Sequence, residues 1–318
     1  MTTRVDKGVS KRDENKGENK YVVITGAGGG MGAETAKLLN ENGFFVFALD
    51  KKQPALGALP QQNSLFIQTD VTNEQSVAEA FEKIARTTKK LYAVIHFAGV
   101  YALDSFLEMS AEKFEKVFKI NLFGAFLINK AAAPFLKAES ENDCVSGGKR
   151  ESDFTKKSGY KPVNGTFGKS KGGKIIITTS ELAPLKPLPF TGLYAVTKSA
   201  LDKYAYSLKM EAQLLGISVS VIRAGAVKTD MLGVSTTALD EFCNNTKNYK
   251  YNAARFKHIV DSVEAKSVLP KKIAQKTLKI VSAKRAKFAY SVNRNPLLRL
   301  LSLMPERFQF WVIKKILK

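Results

Sequence analysis

The sequence contains little cysteine and little histidine, and this limits the chemistry it can perform. Its two cysteines, Cys144 and Cys243, lie far apart and form neither a metal-ligand nor a redox spacing. We therefore expect a reduced, intracellular compartment. The two histidines, His96 and His258, are too few for a histidine-rich metal site, so we predict no bound metal. A Ser-His-Asp hydrolase would have to use one of these two residues.

Long apolar runs are also missing. No uninterrupted apolar stretch reaches the ~18 residues that a membrane-spanning helix needs. Residues 1–20 are rich in charged residues, Asn and Gly, with few apolar ones, which predicts a disordered segment. They lack the apolar run of a secretory signal. We therefore expect a cytoplasmic protein.

Acidic residues are scarce at the C-terminal end. The formal net charge is +21, and residues 271–318 carry thirteen Lys or Arg against one acid, Glu306. The basic excess is therefore local. No RNA- or DNA-binding motif accompanies it, so we do not expect nucleic acid as a partner.

Apolar residues make up 44% of the 318 residues, enough for a sizeable core. Short, continuous apolar segments alternate with segments of helical periodicity, and this predicts a parallel sheet covered by helices on both faces. The expected fold is a doubly wound α/β domain. Predicted strands span 21–25, 44–49, 65–68, 91–97, 174–179, 217–222 and 288–291, and predicted helices span 33–42, 74–87, 111–138 and 194–215.

Two segments interrupt this alternation. Residues 139–173 are rich in Gly, Ser, Lys and Asn and predict a surface insertion between a helix and a strand. Residues 231–270 are polar and weakly helical and follow a strand, where a substrate lid would lie. The predicted organisation is a disordered segment at 1–20, one domain at 21–296 containing both segments, and a basic extension at 297–318.

A glycine-rich turn follows the first predicted strand. Gly26, Gly30 and Gly32 lie where this strand gives way to a helix. Glycine permits a tight turn there and lets backbone N–H groups approach a pyrophosphate at the positive end of the helix dipole. A glycine-rich run alone would be a plain loop, but its position in a strand–turn–helix–strand unit predicts a dinucleotide site.

Asp50 closes the second predicted strand, after the glycine turn and its helix. A carboxylate at this place accepts hydrogen bonds from the adenosine ribose and repels a 2′-phosphate. This favours NAD over NADP. Lys51 and Lys52 follow directly and soften the preference, and the alternative is that Asp50 only begins a turn.

With these residues the chain resembles the short-chain dehydrogenase/reductase family, and within it the steroid- and retinol-acting branch. The resemblance covers residues 21–231 and implies a single Rossmann-fold domain. The glycine pattern of the family, TGxxxGxG, reads Thr25-Gly26-Ala-Gly-Gly-Gly30-Met31-Gly32 in this sequence, and its active-site pattern, YxxxK, reads Tyr194-Ala-Val-Thr-Lys198. Further matches, in chain order, are Asp70, Val71, Ala98, Gly99, Asn121, Ser180 and Thr229.

The resemblance implies an NAD(P)-dependent alcohol/carbonyl oxidoreductase. Tyr194 and Lys198 are four residues apart on one predicted helix, so both face the same side. A nearby ammonium would lower the phenol pKa and let Tyr194 act as general acid or base. Ser180 would polarise the substrate carbonyl, and Asn121 would help position a water in a proton relay.

The resemblance also implies which residues hold the cofactor. Lys198 would bind the nicotinamide ribose, and Thr229 the carboxamide. The predicted cofactor residues are Gly26, Gly30, Met31, Gly32, Asp50, Asp70, Val71, Ala98, Gly99, Tyr194, Lys198 and Thr229.

The sequence departs from the family pattern at several positions. Ser180 and Tyr194 are slightly farther apart than expected, so Thr179 or Ser180 could supply the hydroxyl, and we predict Ser180. Phe97 replaces the usual Asn before Ala98-Gly99, and Ala224 replaces the usual Pro after the sixth strand. None of these changes removes a catalytic group. His96 lies in an apolar strand and is predicted to be a core residue.

The basic extension, residues 297–318, is divided by Pro305, and 306–318 is predicted to be helical. Arg307, Lys314 and Lys318 fall on one stripe of that helix, with Phe308, Trp311, Val312 and Ile316 largely elsewhere. This pattern suits an anionic membrane surface and a peripheral attachment to it. It suits equally an apolar face that packs on the enzyme body or a second subunit.

The sequence thus predicts hydride transfer between NAD(H), or alternatively NADP(H), and a small apolar alcohol or carbonyl substrate of steroid, retinoid or acyl type. By resemblance, a homo-oligomer is expected. Two other classes stay open: a catalytically silent dinucleotide-binding regulator, and a scaffold that works at a membrane surface.

Overall fold

A computed structural model describes residues 20–138, 172–264 and 266–318. Seven strands in this part of the chain form one parallel sheet in the order β3-β2-β1-β4-β5-β6-β7. The order reverses direction at β1, so the sheet edge beyond β1 and β4 is a switch point where α/β folds bind ligands. The strands are β1 (Lys20–Thr25), β2 (Phe44–Asp50), β3 (Ser64–Gln68), β4 (Ala93–His96), β5 (Lys174–Ser180), β6 (Ser218–Ala224) and β7 (Ala289–Val292).

Helices connect these strands and cover the sheet. The described helices are α1 (Gly30–Glu41), α2 (Glu74–Thr87), α3 (Ala111–Phe118), α4 (Gly124–Leu136), α5 (Gly192–Ala212), α6 (Asp230–Asn245), α7 (Lys250–Glu264), α8 (Pro270–Ser282), α9 (Pro296–Leu303) and α10 (Glu306–Leu317). None of the helices described is long and apolar enough to cross a membrane. The doubly wound parallel sheet and the C-terminal helices are as predicted.

The core lies on both faces of the sheet, because alternate residues of each buried strand point to opposite faces. On β1, Val23 belongs to the core cluster packed against α2, α4 and α5, whereas Val22 and Ile24 belong to the cluster packed against α1 and α8. Both faces are covered, so apolar residues predominate in the middle of the central strands.

Several predicted elements need correction. The single helix predicted over 111–138 is broken into α3, a π-helical turn (Lys119–Phe123) and α4. The region 231–270 is not weakly helical, because it contains α6, α7 and the start of α8. The first helix begins at Gly30, three residues earlier than predicted. The segment predicted at 1–20, except Lys20, and the insertion at 139–173, except Gly172 and Gly173, lie outside the described residues.

The basic extension forms α9 and α10. The break at Pro305 and the helix after it agree with the sequence analysis. One face of α10 packs on the body of the protein, where Gln309 and Leu317 are buried and Ile313 contacts a cluster that includes Phe256 of α7. Packing on the body therefore accounts for one face of this helix.

Candidate active site

The glycine turn lies at the carboxyl edge of the sheet, between β1 and α1. Gly26 has a φ of +68°, and a Cβ there would lie 2.6 Å from the backbone nitrogen of Ala98. A Cβ on Gly32 would lie 2.1 Å from the carbonyl oxygen of Gly26. The backbone therefore approaches itself so closely that only glycine fits at either position, and the N-terminus of α1 stays open to a ligand.

Asp50, at the end of β2, contacts this turn directly. Its carboxylate accepts hydrogen bonds from the backbone N–H of Gly28 at 2.9 Å and of Lys52 at 3.0 Å. Asp50 therefore does more than begin a turn, because it places a negative charge beside the glycine backbone. A ribose diol held over this turn would lie within reach of that carboxylate.

Asp70 is the second acid at this edge, after β3. Its carboxylate forms an ion pair with Lys51 at 2.7 Å and accepts hydrogen bonds from the backbone and hydroxyl of Thr72. Burial raises the pKa of Asp70, but the hydrogen bonds from Lys51 and Thr72 outweigh it and lower the pKa to about 2. Asp70 is therefore ionised at neutral pH.

One cavity, which we call the glycine-loop cavity, brings together many of the predicted cofactor residues. The members of the predicted set that line it are Gly26, Asp50, Asp70, Val71, Ala98 and Gly99. Phe97 lines this cavity and also a second one, so the two adjoin at the end of β4. The side chain that departs from the family pattern therefore stands where the two cavities meet.

The second cavity, the tyrosine cavity, contains the predicted catalytic group. Ser180, at the end of β5, hydrogen-bonds the Tyr194 hydroxyl. The ammonium of Lys198 lies 5.8 Å from the centre of the Tyr194 ring and donates a hydrogen bond to the carbonyl oxygen of Thr178 at 3.2 Å. The structure therefore brings these three predicted side chains together at one cavity.

The pKa of Tyr194 differs from the expectation. We expected the nearby ammonium to lower it. Burial and the negative charge of Glu181 instead raise the pKa of Tyr194 to about 12, against a smaller lowering by the hydrogen bond with Ser180. The expectation was wrong because the sequence shows neither the burial of the phenol nor the carboxylate beside it.

The pKa of Lys198 is shifted in the opposite direction. Only 6% of its surface is exposed, and burial lowers its pKa from 10.5 to about 8. A buried ammonium is costly unless it has partners, which favours a ligand that supplies hydrogen-bond acceptors to it.

Asn121 lies in the π-helical turn between α3 and α4, a deviation that often marks functional sites. Its amide exchanges two hydrogen bonds with Val100, at 2.7 and 3.0 Å, and donates a third to the hydroxyl of Thr197 at 3.1 Å. It thereby links the loop after β4 to the residue before Lys198. Asn121 therefore lies next to the predicted catalytic group, and its role in a proton relay stays a prediction.

The two candidate hydroxyls on β5 have different partners. The hydroxyl of Thr179 donates to the carboxylate of Asp202 at 3.2 Å, and this carboxylate also pairs with Arg223 at 2.7 Å. Ser180 faces Tyr194 instead. The geometry therefore favours Ser180 as the hydroxyl that meets a substrate.

A nicotinamide dinucleotide fits the residues present. The hydroxyl of Thr178, in the wall of the tyrosine cavity, is buried and has no hydrogen-bond partner among the described residues. Thr229 lies against the glycine turn, since a Cβ on Gly30 would be 3.1 Å from its methyl group, and Met31 and Thr229 line the same cavity. The residues that would hold the cofactor therefore extend from Asp50, in the glycine-loop cavity, to Lys198 and the unpaired Thr178 hydroxyl, in the tyrosine cavity.

Sequence reasoning missed three groups in the tyrosine cavity. The Tyr101 ring packs on Tyr194 with 4.6 Å between centroids. Glu181 is buried beside Ser180, and Leu298 of α9 forms part of the wall. Tyr101 follows Ala98-Gly99 closely and Glu181 adjoins Ser180, so proximity to a motif was the available signal. Leu298 has no such signal.

His96 is a core residue, as predicted. It is 4% exposed, and its ring nitrogen Nε2 is 2.8 Å from the amide oxygen of Asn129. Burial lowers its pKa to about 4, so it is neutral at physiological pH. It lies in neither cavity and takes no part in the site.

This fold and this cluster define a class of protein: a doubly wound α/β protein with a dinucleotide-type glycine turn and a Ser-Tyr-Lys group. Comparison with known proteins agrees. The sequence matches the profile of the short chain dehydrogenase family over residues 20–146 and 160–240. The chain therefore belongs to the short-chain dehydrogenase family and is an enzyme of the oxidoreductase class.

Individual relatives cover different shares of the chain. Estradiol 17-beta-dehydrogenase 2 of Mus musculus is 30% identical over 226 residues, which are 68% of this chain and 50% of that protein. The chain thus spans about half the length of this relative. 3-Ketodihydrosphingosine reductase of Bacteroides thetaiotaomicron is 25% identical over 286 residues, 89% of this chain and 90% of that protein.

Solved structures share the fold. The 3-ketoacyl-(acyl-carrier-protein) reductase of Brucella melitensis, crystallised with NADH, superposes with a TM-score of 0.62 at 18% identity. The alignment covers 86% of this chain and 96% of that one. At this identity the likeness concerns the fold alone.

Proposed function

We propose that this protein transfers a hydride between a nicotinamide dinucleotide and an alcohol or carbonyl group of an apolar substrate. The observation that carries the proposal is the meeting of Ser180, Tyr194 and Lys198 in one cavity that adjoins the glycine-loop cavity. The predicted roles of Gly26, Gly30, Met31, Gly32, Asp70, Val71, Ala98, Gly99 and Thr229 in cofactor binding belong to this proposal.

The cofactor supplies or accepts the hydride when it is bound. In carbonyl reduction, the Tyr194 hydroxyl donates a proton to the substrate oxygen, and in alcohol oxidation it takes that proton back. The Ser180 hydroxyl donates a hydrogen bond to the same oxygen as negative charge develops on it. Lys198 holds a ribose hydroxyl, and Asn121 fixes the loop at Val100 and positions a water that returns the proton to Tyr194.

The charges near the glycine turn favour NAD over NADP. Asp50 presents a carboxylate where a 2′-phosphate would lie. Lys51 and Lys52 are both exposed, but the Lys51 ammonium is paired with Asp70 and is therefore less available to a phosphate. The Asp50 carboxylate at this place and the pairing of Lys51 with Asp70 both support NAD as the preferred cofactor.

The wall of the tyrosine cavity supports an apolar substrate. Its side chains outside the catalytic group are mostly large and apolar, and they come from the loop after β4, the loop before α5, α7 and α9. They include Tyr101, Leu188, Phe256, Ile259, Val260 and Leu298. The names of the relatives, an estradiol dehydrogenase and a ketodihydrosphingosine reductase, agree with a steroid-, retinoid- or acyl-like molecule.

The outer faces of α4 and α5 support a homo-oligomer. Phe123, in the π-helical turn, and Phe126 of α4 are 43% and 41% exposed and stack on each other at 5.8 Å. Tyr206 and Met210 of α5 are more than half exposed. Aromatic and methionine side chains are enriched in protein interfaces, so these helices are the proposed contact with a second copy.

A substrate panel tests the function. Steroid, retinoid and acyl alcohols and ketones are supplied with NAD(H) or NADP(H), and the absorbance of the reduced nicotinamide is followed. We expect turnover with one of these classes and a higher kcat/KM with NAD(H). Asp50→Asn should shift the preference toward NADP(H) by about tenfold or more, since it removes a charge that repels the phosphate. A protein that binds the cofactor but turns over no member of the panel would support the silent regulator instead.

A further inference from the structure

The C-terminal helices α9 and α10 each expose large apolar side chains. On α9, Leu297, Leu300 and Leu303 follow one another at intervals of three residues and are 69%, 55% and 74% exposed. On α10, Phe308, Phe310 and Trp311 are 48%, 67% and 55% exposed. We call these six side chains the C-terminal apolar set. They remain exposed although α10 already packs on the body of the protein through its other face.

Cations accompany this set. Residues 294–318 contain six Lys or Arg against one acid, Glu306, which is paired with Lys186 at 3.2 Å. All six cations are exposed. Four of them lie on or next to α10, where Arg307 precedes the aromatic residues and Lys314, Lys315 and Lys318 follow them. Phe308 stacks on Trp311 at 5.6 Å, and the ammonium of Lys315 lies over the Trp311 ring at 5.4 Å. Apolar and basic groups therefore share the outer side of this helix.

We propose that the C-terminal apolar set and its cations bind the surface of an anionic phospholipid bilayer. Leucine side chains that protrude from a helix enter the acyl boundary, tryptophan favours the headgroup level, and Lys and Arg pair with anionic headgroups. Each cation held near such a surface strengthens the attraction to it. The six cations thus complement the charge of an anionic membrane, which selects this partner.

Two other partners fit less well. A second copy docked through the same surface would bring two sets of six cations together, because a two-fold interface places a patch against itself. A nucleic acid would pair with the cations but would leave three exposed leucines of α9 in water. The membrane satisfies both features at once.

The membrane contact adjoins the substrate cavity. Leu298, on the inner side of α9, lines the tyrosine cavity together with Ile259 and Val260 of α7. The backbone N–H of Asn295, just before α9, donates a 2.6 Å hydrogen bond to Glu181, the neighbour of Ser180. The same helix therefore has a face on the cavity and a face turned to the lipid. This step rests on the proposed function: the substrate is an alcohol or ketone dissolved in the bilayer, which reaches Tyr194 past α9.

Vesicle sedimentation of the full chain tests the contact. The vesicles are phosphatidylcholine alone or phosphatidylcholine with phosphatidylserine. One variant carries Leu300→Ser, Leu303→Ser and Trp311→Ser, and a second carries Lys314→Ala, Lys315→Ala and Lys318→Ala. One control is Leu56→Ser, at a fully exposed leucine far in sequence from the C-terminal helices. The other is the triple change Lys37→Ala, Lys83→Ala and Lys89→Ala at exposed lysines. Thermal unfolding identifies any variant that fails to fold.

We expect the parent and both controls to bind the phosphatidylserine vesicles, and each C-terminal variant to bind about tenfold or more weakly. Equal binding by parent and C-terminal variants would overturn the proposal. A parent protein that binds no anionic vesicles would also overturn the proposal. In that case, loss of single-stranded RNA binding in the lysine variant would indicate a nucleic acid as the partner, and loss of a dimer in the leucine variant would indicate a second copy.

A second readout separates this proposal from the proposed function. Turnover of a long-chain ketone embedded in the vesicles should fall about tenfold or more in the C-terminal variants, while turnover of a short, water-soluble ketone stays unchanged. Parallel loss of both activities would overturn the access route. A parent that binds vesicles but reduces neither ketone would contradict the proposed function and leave the membrane contact standing.

Discussion

Lys198 illustrates a conflict between the stability of a single residue and its function. Its ammonium is buried, with a pKa near 8 against 10.5 for an ordinary lysine. Between these two values the unfolded chain binds more protons than the folded one, so the stability of the folded protein rises with pH across this range. The folded protein therefore keeps a charge at neutral pH that lowers its stability, in agreement with the catalytic role proposed for Lys198.

Replacing Lys198 should make this cost visible. The free energy of unfolding of Lys198→Met, minus that of the parent, should be about 3 kcal/mol more positive near pH 7 than near pH 10.5. Urea unfolding at both pH values measures it. Lys203→Met, an exposed lysine on the same helix, is the control and should show no such change. If the difference in unfolding free energy between Lys198→Met and the parent does not change with pH, folding does not lower the pKa of Lys198.

Glu181 acts on the Tyr194 phenol through its charge. The carboxylate is buried beside Ser180 and raises the pKa of Tyr194. In Glu181→Gln, the midpoint of the pH profile of kcat/KM for alcohol oxidation should move to lower pH, because tyrosinate forms more readily. Glu306→Gln, an exposed acid, should leave the midpoint in place. A midpoint that moves upward or stays fixed in Glu181→Gln contradicts this role.

At the scale of single elements, the glycine turn and α1 depend on close backbone contacts. A Cβ on Gly32 would meet the Gly26 oxygen at 2.1 Å, whereas a Cβ on Gly29 would find its nearest neighbour at 3.6 Å. Gly32→Ala should lower stability by about 1–3 kcal/mol and weaken cofactor binding, and Gly29→Ala should change stability by less than about 0.5 kcal/mol. Urea unfolding and cofactor titration measure the two effects. Equal tolerance at both positions would contradict the geometry of the turn.

The strands and the family motifs could be predicted from sequence because their signals are local. A strand buried on both faces is mostly apolar, and a pair such as Tyr194 and Lys198 needs only helical spacing. The π-helical turn at Asn121 could not be predicted, since it changes one turn within a pattern that remains helical. Helices α7 and α9 were missed because their packing on the cavity, through residues such as Phe256 and Leu298, is decided by tertiary contacts.

At the scale of the whole molecule, two surfaces of the described part of the chain are proposed as contacts with partners. The outer faces of α4 and α5 carry exposed aromatic residues, and α9 and α10 carry apolar side chains among cations. They differ in chemistry, so one is proposed for a second copy of the chain and the other for a lipid surface. Both can be occupied at once only if they lie on separate sides of the oligomer.

The oligomer proposal gives its own test. Phe123→Glu combined with Phe126→Glu places charges in the proposed contact and should reduce the mass in light scattering to that of one chain, because an unpaired buried charge is costly at an interface. Leu56→Glu, at a fully exposed position elsewhere, should keep the mass of the parent. An unchanged mass in the double variant would locate the contact on another surface.

The most direct measurement for the account as a whole is the rate of Tyr194→Phe beside Tyr206→Phe. Both changes remove one hydroxyl from α5, but Tyr206 is 55% exposed and lies outside the cavity. Tyr194→Phe should lower the turnover number by about 10² to 10⁴-fold while the dissociation constant of the nicotinamide cofactor stays within about twofold, and Tyr206→Phe should keep both values. A Tyr194→Phe enzyme that turns over as fast as the Tyr206→Phe enzyme would show that the phenol is not the proton donor.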